Sequence, residues 1–121
     1  MWMRYRERLA DWAGRHGVRL PLVPAHCEQP YHMFYLLMRS ALQREALIAH
    51  LKRLGILSVF HYVPLHLSEM GRRFGSRMGD CPVTEDVSER LLRLPFYNDL
   101  AEDDQDPAVA GLLDFDPGTV A

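Results

Sequence analysis

Three prolines crowd residues 18–31 (VRLPLVPAHCEQPY), and they divide the chain. Pro21, Pro24 and Pro30 each lack a backbone N–H and push the preceding residue towards an extended conformation. Neither a helix nor a central strand runs through such a segment. It is predicted to be a connector lying along a surface, between a leading helix (1–17) and a main body (32–115) that ends in a short tail (116–121).

The leading segment has a helical period. Trp2, Tyr5, Leu9 and Trp12 recur at steps of three and four, with Arg4, Arg6, Glu7, Arg8 and Asp11 between them. No capping residue precedes the stripe, so the expectation is a helix whose start is missing, and Gly17 is its predicted stop.

Beyond the connector, helix and strand signals alternate. HMFYLLM (32–38) reads as a strand. Ser40 is placed to cap a helix with Leu47, Ile48, Leu51 and Leu54 as its apolar stripe, ended by Gly55. ILSVFHY (56–62) is β-branched and aromatic, hence a second strand, and residues 63–80 read as a long glycine-bearing loop. Thr84 is the predicted cap of a further helix, LRLPFY (92–97) a third strand, and Asp106 with Pro107 the start of a last helix. Three short strands with helices predict a small α+β layer domain.

A chain of 121 residues suits one domain. The formal net charge is −2 and the arginines are scattered, which gives no nucleic-acid signature. No apolar run approaches the ~18 residues of a membrane span, and the charged, aromatic N-terminus is unlike a secretory signal. Cys27 and Cys81 form no CxxC pair, so the expected setting is reducing and cytoplasmic, without a zinc site.

The segment VFHYVPLHLS (59–68) is the candidate for chemistry. His61 and His66 are five apart, so a straight strand would send them to opposite faces and a helix would set them about 140° apart. They share a site only if the chain bends between them, and Pro64 is where it can. On spacing alone a strand end turning at a proline stays open as the plainer alternative. Ser58 and Ser68 lie in no nucleophile elbow, and MGRRFGSRMGD is no phosphate loop, although Arg72, Arg73 and Arg77 are available to an anion. Lys52, the only lysine, reads as a solvated residue near a helix end. Glu85, Asp86, Glu89 and Arg90 read as a solvated face, with Glu89 and Arg90 able to pair, and Phe34, Tyr35, Phe60 and Phe96 as core.

Taken together, HMFYLLM, ALIAHLKRLGILSVFHYVPLH, GRRFG and VSERLLRLPFYNDL resemble the C-terminal part of the DegT/DnrJ/EryC1/StrS sugar-nucleotide aminotransferases over residues 2–113. Within that family the resemblance is nearest to the dTDP-4-amino-4,6-dideoxygalactose transaminases of surface-polysaccharide biosynthesis. It implies the small domain of a fold-type-I, pyridoxal-phosphate-dependent, homodimeric enzyme that moves an amino group, usually from glutamate, onto a 4-keto-6-deoxy sugar nucleotide. His61, Tyr62 and His66 carry over as substrate contacts, with Pro64 holding the turn. The family's cofactor lysine belongs to a large N-terminal domain that nothing in this chain matches. The chain alone is therefore expected to hold no pyridoxal phosphate and not to transaminate, and its partner would be that large domain or a split-frame product. A noncatalytic sugar-nucleotide-binding or interaction module, or a degenerate fragment, is the alternative.

Overall fold

The computed structural model describes residues 1–120. Helix α1 spans Trp2–His16 and closes on Gly17 at φ 66°, the left-handed stop that glycine takes without strain. Its apolar stripe is buried: Trp2, Tyr5, Leu9 and Trp12 join one core with Phe34, Leu36, Leu47, Leu51, Leu92 and the last helix. Two polar tips find backbone partners, as Tyr5 Oη donates to Pro95 O (3.1 Å) and Trp12 Nε1 to Phe115 O (2.9 Å).

Three strands form an antiparallel sheet in the order β1 (Tyr35–Leu37), β3 (Leu91–Arg93), β2 (Val59–Phe60). The register pairs Tyr35 and Val59 with Arg93 from either side, and Leu36 and Phe60 with Leu92. One face therefore carries Leu36 and Leu92 into the core, and the other carries Tyr35, Arg93 and Val59 outwards. Each strand is shorter than the apolar run that predicted it. Phe60, expected in the core, is 55% exposed on the edge strand. Residues 18–31 form no helix or strand, but they pair with the sheet through one bridge between Arg19 and Leu37, and Val18, Leu20 and Val23 pack on the core.

Helix α2 (Ala41–Arg53) is capped as predicted, with Ser40 Oγ accepting from Gln43 N–H at 3.2 Å. Two other caps are corrected. Helix α4 spans Pro82–Arg90 and begins at Pro82 rather than behind Thr84, because proline's fixed φ suits the first helical position. It runs directly into β3 and leaves no loop between them. Helix α5 spans Glu102–Leu113, so Pro107 lies inside it and Asp106 is not its cap. Glu102, Asp103 and Asp104, which look like an acidic linker, form its first turn, where negative charge meets the helix N-terminus. Arg90 pairs with Asp86 and donates to Met38 O, not to Glu89. The predicted loop 63–80 holds a 3₁₀ turn at Leu65–Leu67 and a short helix α3 at Glu69–Arg73.

Candidate functional site

The candidate segment leaves the sheet at the end of β2. Pro64, at φ −52° and ψ 129°, turns the chain into the 3₁₀ turn, and Ser68 joins that turn to α3. The Ser68 hydroxyl donates to Leu65 O (2.7 Å) and accepts from Gly71 N–H (3.1 Å). Gly71 lets α3 lie against the turn: a Cβ there would stand 2.4 Å from Leu65 O and 2.6 Å from His66 O.

His66 points back onto helix α4. Its Nε2 lies 2.7 Å from Glu85 Oε1, with the two side chains only 12% and 13% exposed. The same carboxylate accepts from Gly79 N–H (2.8 Å) and Cys81 N–H (3.4 Å). Glu85 thus reaches back to the residue before its own helix, as the acid of a capping box does, while tying down both ends of the loop. The His66 hydrogen bond, aided by the two backbone N–H groups and opposed by desolvation, holds the Glu85 carboxyl below the usual glutamate range. The expectation that Glu85 is a solvated residue is corrected.

His61 and Tyr62 sit together on the other side of the bend. Their ring centroids are 5.0 Å apart, and the Arg93 guanidinium carbon lies 5.3 Å from the centre of the Tyr62 ring. Tyr62 is 71% exposed, whereas His61 is half-buried with no hydrogen-bond partner for its enclosed Nδ1. Burial first, then the charges of Arg93 and His32, push the His61 imidazole pKa down. The ring is therefore neutral near pH 7, able to donate from one nitrogen and accept at the other.

Three of the hollows around these residues bear on the site. One of about 440 Å³ lies between His61–Leu65 and the Val83, Thr84 and Val87 side of α4. A second, about 530 Å³, lies beyond Leu65 and is lined by His66, Met70, Phe74 and Thr84. A third, about 320 Å³, follows the outer sheet face and includes His32, Arg93 and Tyr97. The structure therefore brings His61 and Tyr62 into one hollow and places His66 in the next. Glu85 and Arg93 had no distinguishing sequence signal: one looked like a helix surface charge, the other like one of many arginines.

Other candidates are accounted for elsewhere. Arg73 pairs with Glu69 and Arg77 with Asp80, both on the surface. Among the described residues no three His, Cys, Asp or Glu side chains converge as a metal site would need. No described helix is long and apolar enough to cross a membrane.

The comparisons with known proteins agree with this architecture. The family model for the DegT/DnrJ/EryC1/StrS aminotransferase family matches residues 1–113. A UDP-N-acetyl-3-dehydro-alpha-D-glucosamine 3-aminotransferase of Acidithiobacillus ferrooxidans is 32% identical over 103 residues, covering 81% of this chain and 27% of its own. A dTDP-3-amino-3,4,6-trideoxy-alpha-D-glucose transaminase of Micromonospora megalomicea is 31% identical over 109 residues, covering 88% and 28%. The crystal structure of a DegT DnrJ EryC1 StrS aminotransferase from Brucella abortus superposes with a TM-score of 0.72 at 32% identity, over 91% of this chain and 28% of that one. The chain thus spans little more than a quarter of the length of the curated relatives it matches. By its sequence and its fold, it belongs to the DegT/DnrJ/EryC1/StrS aminotransferase family.

Proposed function

We propose that this chain is the substrate-facing small domain of a sugar-nucleotide transaminase, presenting His61 and Tyr62 to a nucleotide-linked sugar. The observation that carries this reading is the bend at Pro64. It leaves Tyr62 71% exposed beside His61 while His66 and Glu85 fasten the segment behind it. An exposed phenol and a neutral imidazole on an anchored turn are donors whose positions are set before substrate arrives. Tyr62 Oη and His61, through Nε2 rather than the enclosed Nδ1, donate to sugar or phosphate oxygens. His66 contributes its ring edge in the neighbouring hollow and, through Glu85, the position of the whole turn.

The family is pyridoxal-phosphate-dependent. The residues of this chain do not fit that group: Lys52, its only lysine, stands exposed in the last turn of α2, where nothing desolvates the amine. No chemical step through the cofactor is therefore assigned to this chain. The reacting lysine belongs, on this reading, to a large domain that docks against it, and the assembled enzyme is a homodimer.

The resemblance of FHYVPLH, GRRFG and SERLLRLP to the dTDP-4-amino-4,6-dideoxygalactose transaminases is what supports a dTDP-linked 4-keto-6-deoxy sugar as acceptor, glutamate as amino donor and surface-polysaccharide synthesis as setting. The test is complementation in vitro. This chain is combined with a lysine-bearing large domain of the family, the 4-keto sugar nucleotide and glutamate. Formation of the amino sugar and 2-oxoglutarate, lost with Tyr62→Ala, is expected. A stable complex that turns over regardless of the residue at 62 would defeat the assignment.

A further inference from the structure

We propose that the free edge of β2 docks an extended peptide strand of another protein, with a glutamate of that strand seated beside Lys52. Ser58 and Phe60, which form this edge, precede His61 and Tyr62 in the chain and are none of the substrate contacts assigned above.

The two edges of the sheet are finished differently. On β1, Arg19 N–H donates to Leu37 O (3.0 Å) and Leu37 N–H to Arg19 O (2.9 Å), so the connector closes that side. On the other side β2 is the last strand. Met38 N–H donates to Arg90 O and Leu94 N–H to Phe34 O, both at 3.0 Å. Alternation along β3 therefore turns the backbone of Leu92 towards β1 and that of Arg93 towards β2. Val59, opposite Arg93, spends its N–H and C=O inside the sheet. Phe60, and Ser58 just before the strand, turn theirs away from it, and among the described residues neither has another backbone partner. Two donors and two acceptors at alternate positions are the groups that an added strand bonds.

The side chains say what that strand carries. Ser58 and Phe60 share the face of the sheet that holds Leu36 and Leu92. A side chain set opposite Ser58 on an added strand shares it too. There it meets a hollow of about 420 Å³ that Ser58 lines with Ile48, Lys52, Ile56 and Leu57, ample for one long side chain. No carboxylate lines this hollow. Lys52 is exposed at it and, among the described residues, pairs with no acid. A glutamate suits both features, its methylenes lying on the isoleucines and its carboxylate reaching the ammonium. Exposed Leu57 and Phe60 add apolar contact along the edge. Residues 57–61 of a second copy would bring no carboxylate to Lys52, which favours a different, acidic chain.

The full chain, isotope-labelled, is titrated with acetyl-Thr-Val-Thr-Glu-Val-amide and followed by amide chemical shifts and solvent exchange. In antiparallel register this peptide sets its glutamate opposite Ser58 and its first valine opposite Phe60. Saturable shifts and slowed exchange are expected at those two amides, with a Kd of about a millimolar. N-methylation of the glutamate removes its backbone donor and should abolish both effects. Lys52→Glu should weaken the peptide about tenfold or more, and the peptide with lysine in place of glutamate should recover binding to that variant alone. No response at Ser58 and Phe60, or a response indifferent to N-methylation or to the charge exchange, overturns the proposal. N-acetylglutamate amide that reproduces the shifts would make the hollow a small-molecule site and overturn the strand. The same shifts appearing as the chain alone is concentrated would give the edge to a second copy and overturn the acidic partner. If Lys52→Glu fails to fold, the unaltered chain decides. It should prefer the glutamate peptide to its glutamine and lysine counterparts, and equal binding of the three overturns the site.

Discussion

His66 Nε2 and Glu85 Oε1 stand 2.7 Å apart, and this contact fastens the turn that carries Tyr62 to helix α4. Because the same carboxylate also accepts from Gly79 and Cys81, one group holds three points of the segment between β2 and α4. His66→Ala should lower the melting temperature by several degrees and open residues 63–80 to proteolysis, while the sheet and α1 stay protected from hydrogen exchange. Uniform protection of the segment in the variant would show that the pair adds nothing.

The pH dependence of that clamp has a definite sign. The Glu85 carboxyl is held below its usual value of 4.5 in the folded state. Its contribution is therefore complete above the unfolded-state value and is lost as pH falls through the lower, folded-state one. Proteolytic opening of residues 63–80 should rise on acidification below about pH 4.5, and Glu85→Gln should be open already at neutral pH with little further acid response. Equal acid responses in the two proteins would assign the effect to another group.

Gly71 makes a sharper test of the same segment. A methyl group at that position meets the carbonyls of Leu65 and His66, which are backbone and cannot rotate away. Gly71→Ala is therefore expected to displace the 3₁₀ turn from α3. Measured by amide chemical shifts, the change should centre on residues 64–76 and exceed that of His66→Ala. In contrast, Gly14→Ala adds a Cβ with nothing within 4 Å, in a helix, and should be neutral or mildly stabilising.

A second electrostatic link joins the ends of the chain. Arg4 donates to Glu102 and Asp106, both at 2.6 Å, and Arg8 to Asp106 at 2.8 Å, so α1 is tied to the N-terminal half of α5. The hydrogen bond from Arg4, then that from Arg8, holds the Asp106 carboxyl below its usual value of 3.8. Asp106→Asn should lower the melting temperature by a few degrees in low salt, a difference that shrinks in molar salt because these groups are partly exposed. A deficit that ignores salt would point to packing instead.

Much of the fold was legible because it is local. The stripe Trp2, Tyr5, Leu9 and Trp12 specifies a buried face, and Ser40 and Gly17 terminate helices by chemistry that needs no distant partner. What escaped was set by contacts far along the chain. The register of β3 depends on both neighbours, so neither Arg93's place on the outer face nor the three-residue length of that strand shows in LRLPFY. Pro107 is tolerated within α5 where Asp106 meets Arg4 and Arg8, about a hundred positions away, and Gln105 Nε2 reaches Met1 O. His61 and His66 looked like one pair in sequence. The bend at Pro64 that could have united them instead turned His66 towards Glu85, 19 residues on.

The loop face leaves large apolar side chains in water. Leu65 and Phe74 are 82% and 83% exposed, with Met70 and Met78 also exposed on the same segment and Val83 exposed in the first turn of α4. Several such side chains on one segment make a patch that a soluble monomer rarely shows, and water is released when two patches meet. The free chain is therefore expected to associate as its concentration rises, which light scattering reads directly. The double substitution Leu65→Lys and Phe74→Lys should abolish that association. Its melting temperature should stay near that of the parent chain, because neither side chain contributes to the core. A parent chain that remains monodisperse and monomeric at high concentration would mean that this surface is tolerated by water. The exposed leucine and phenylalanine would then carry no drive towards a partner.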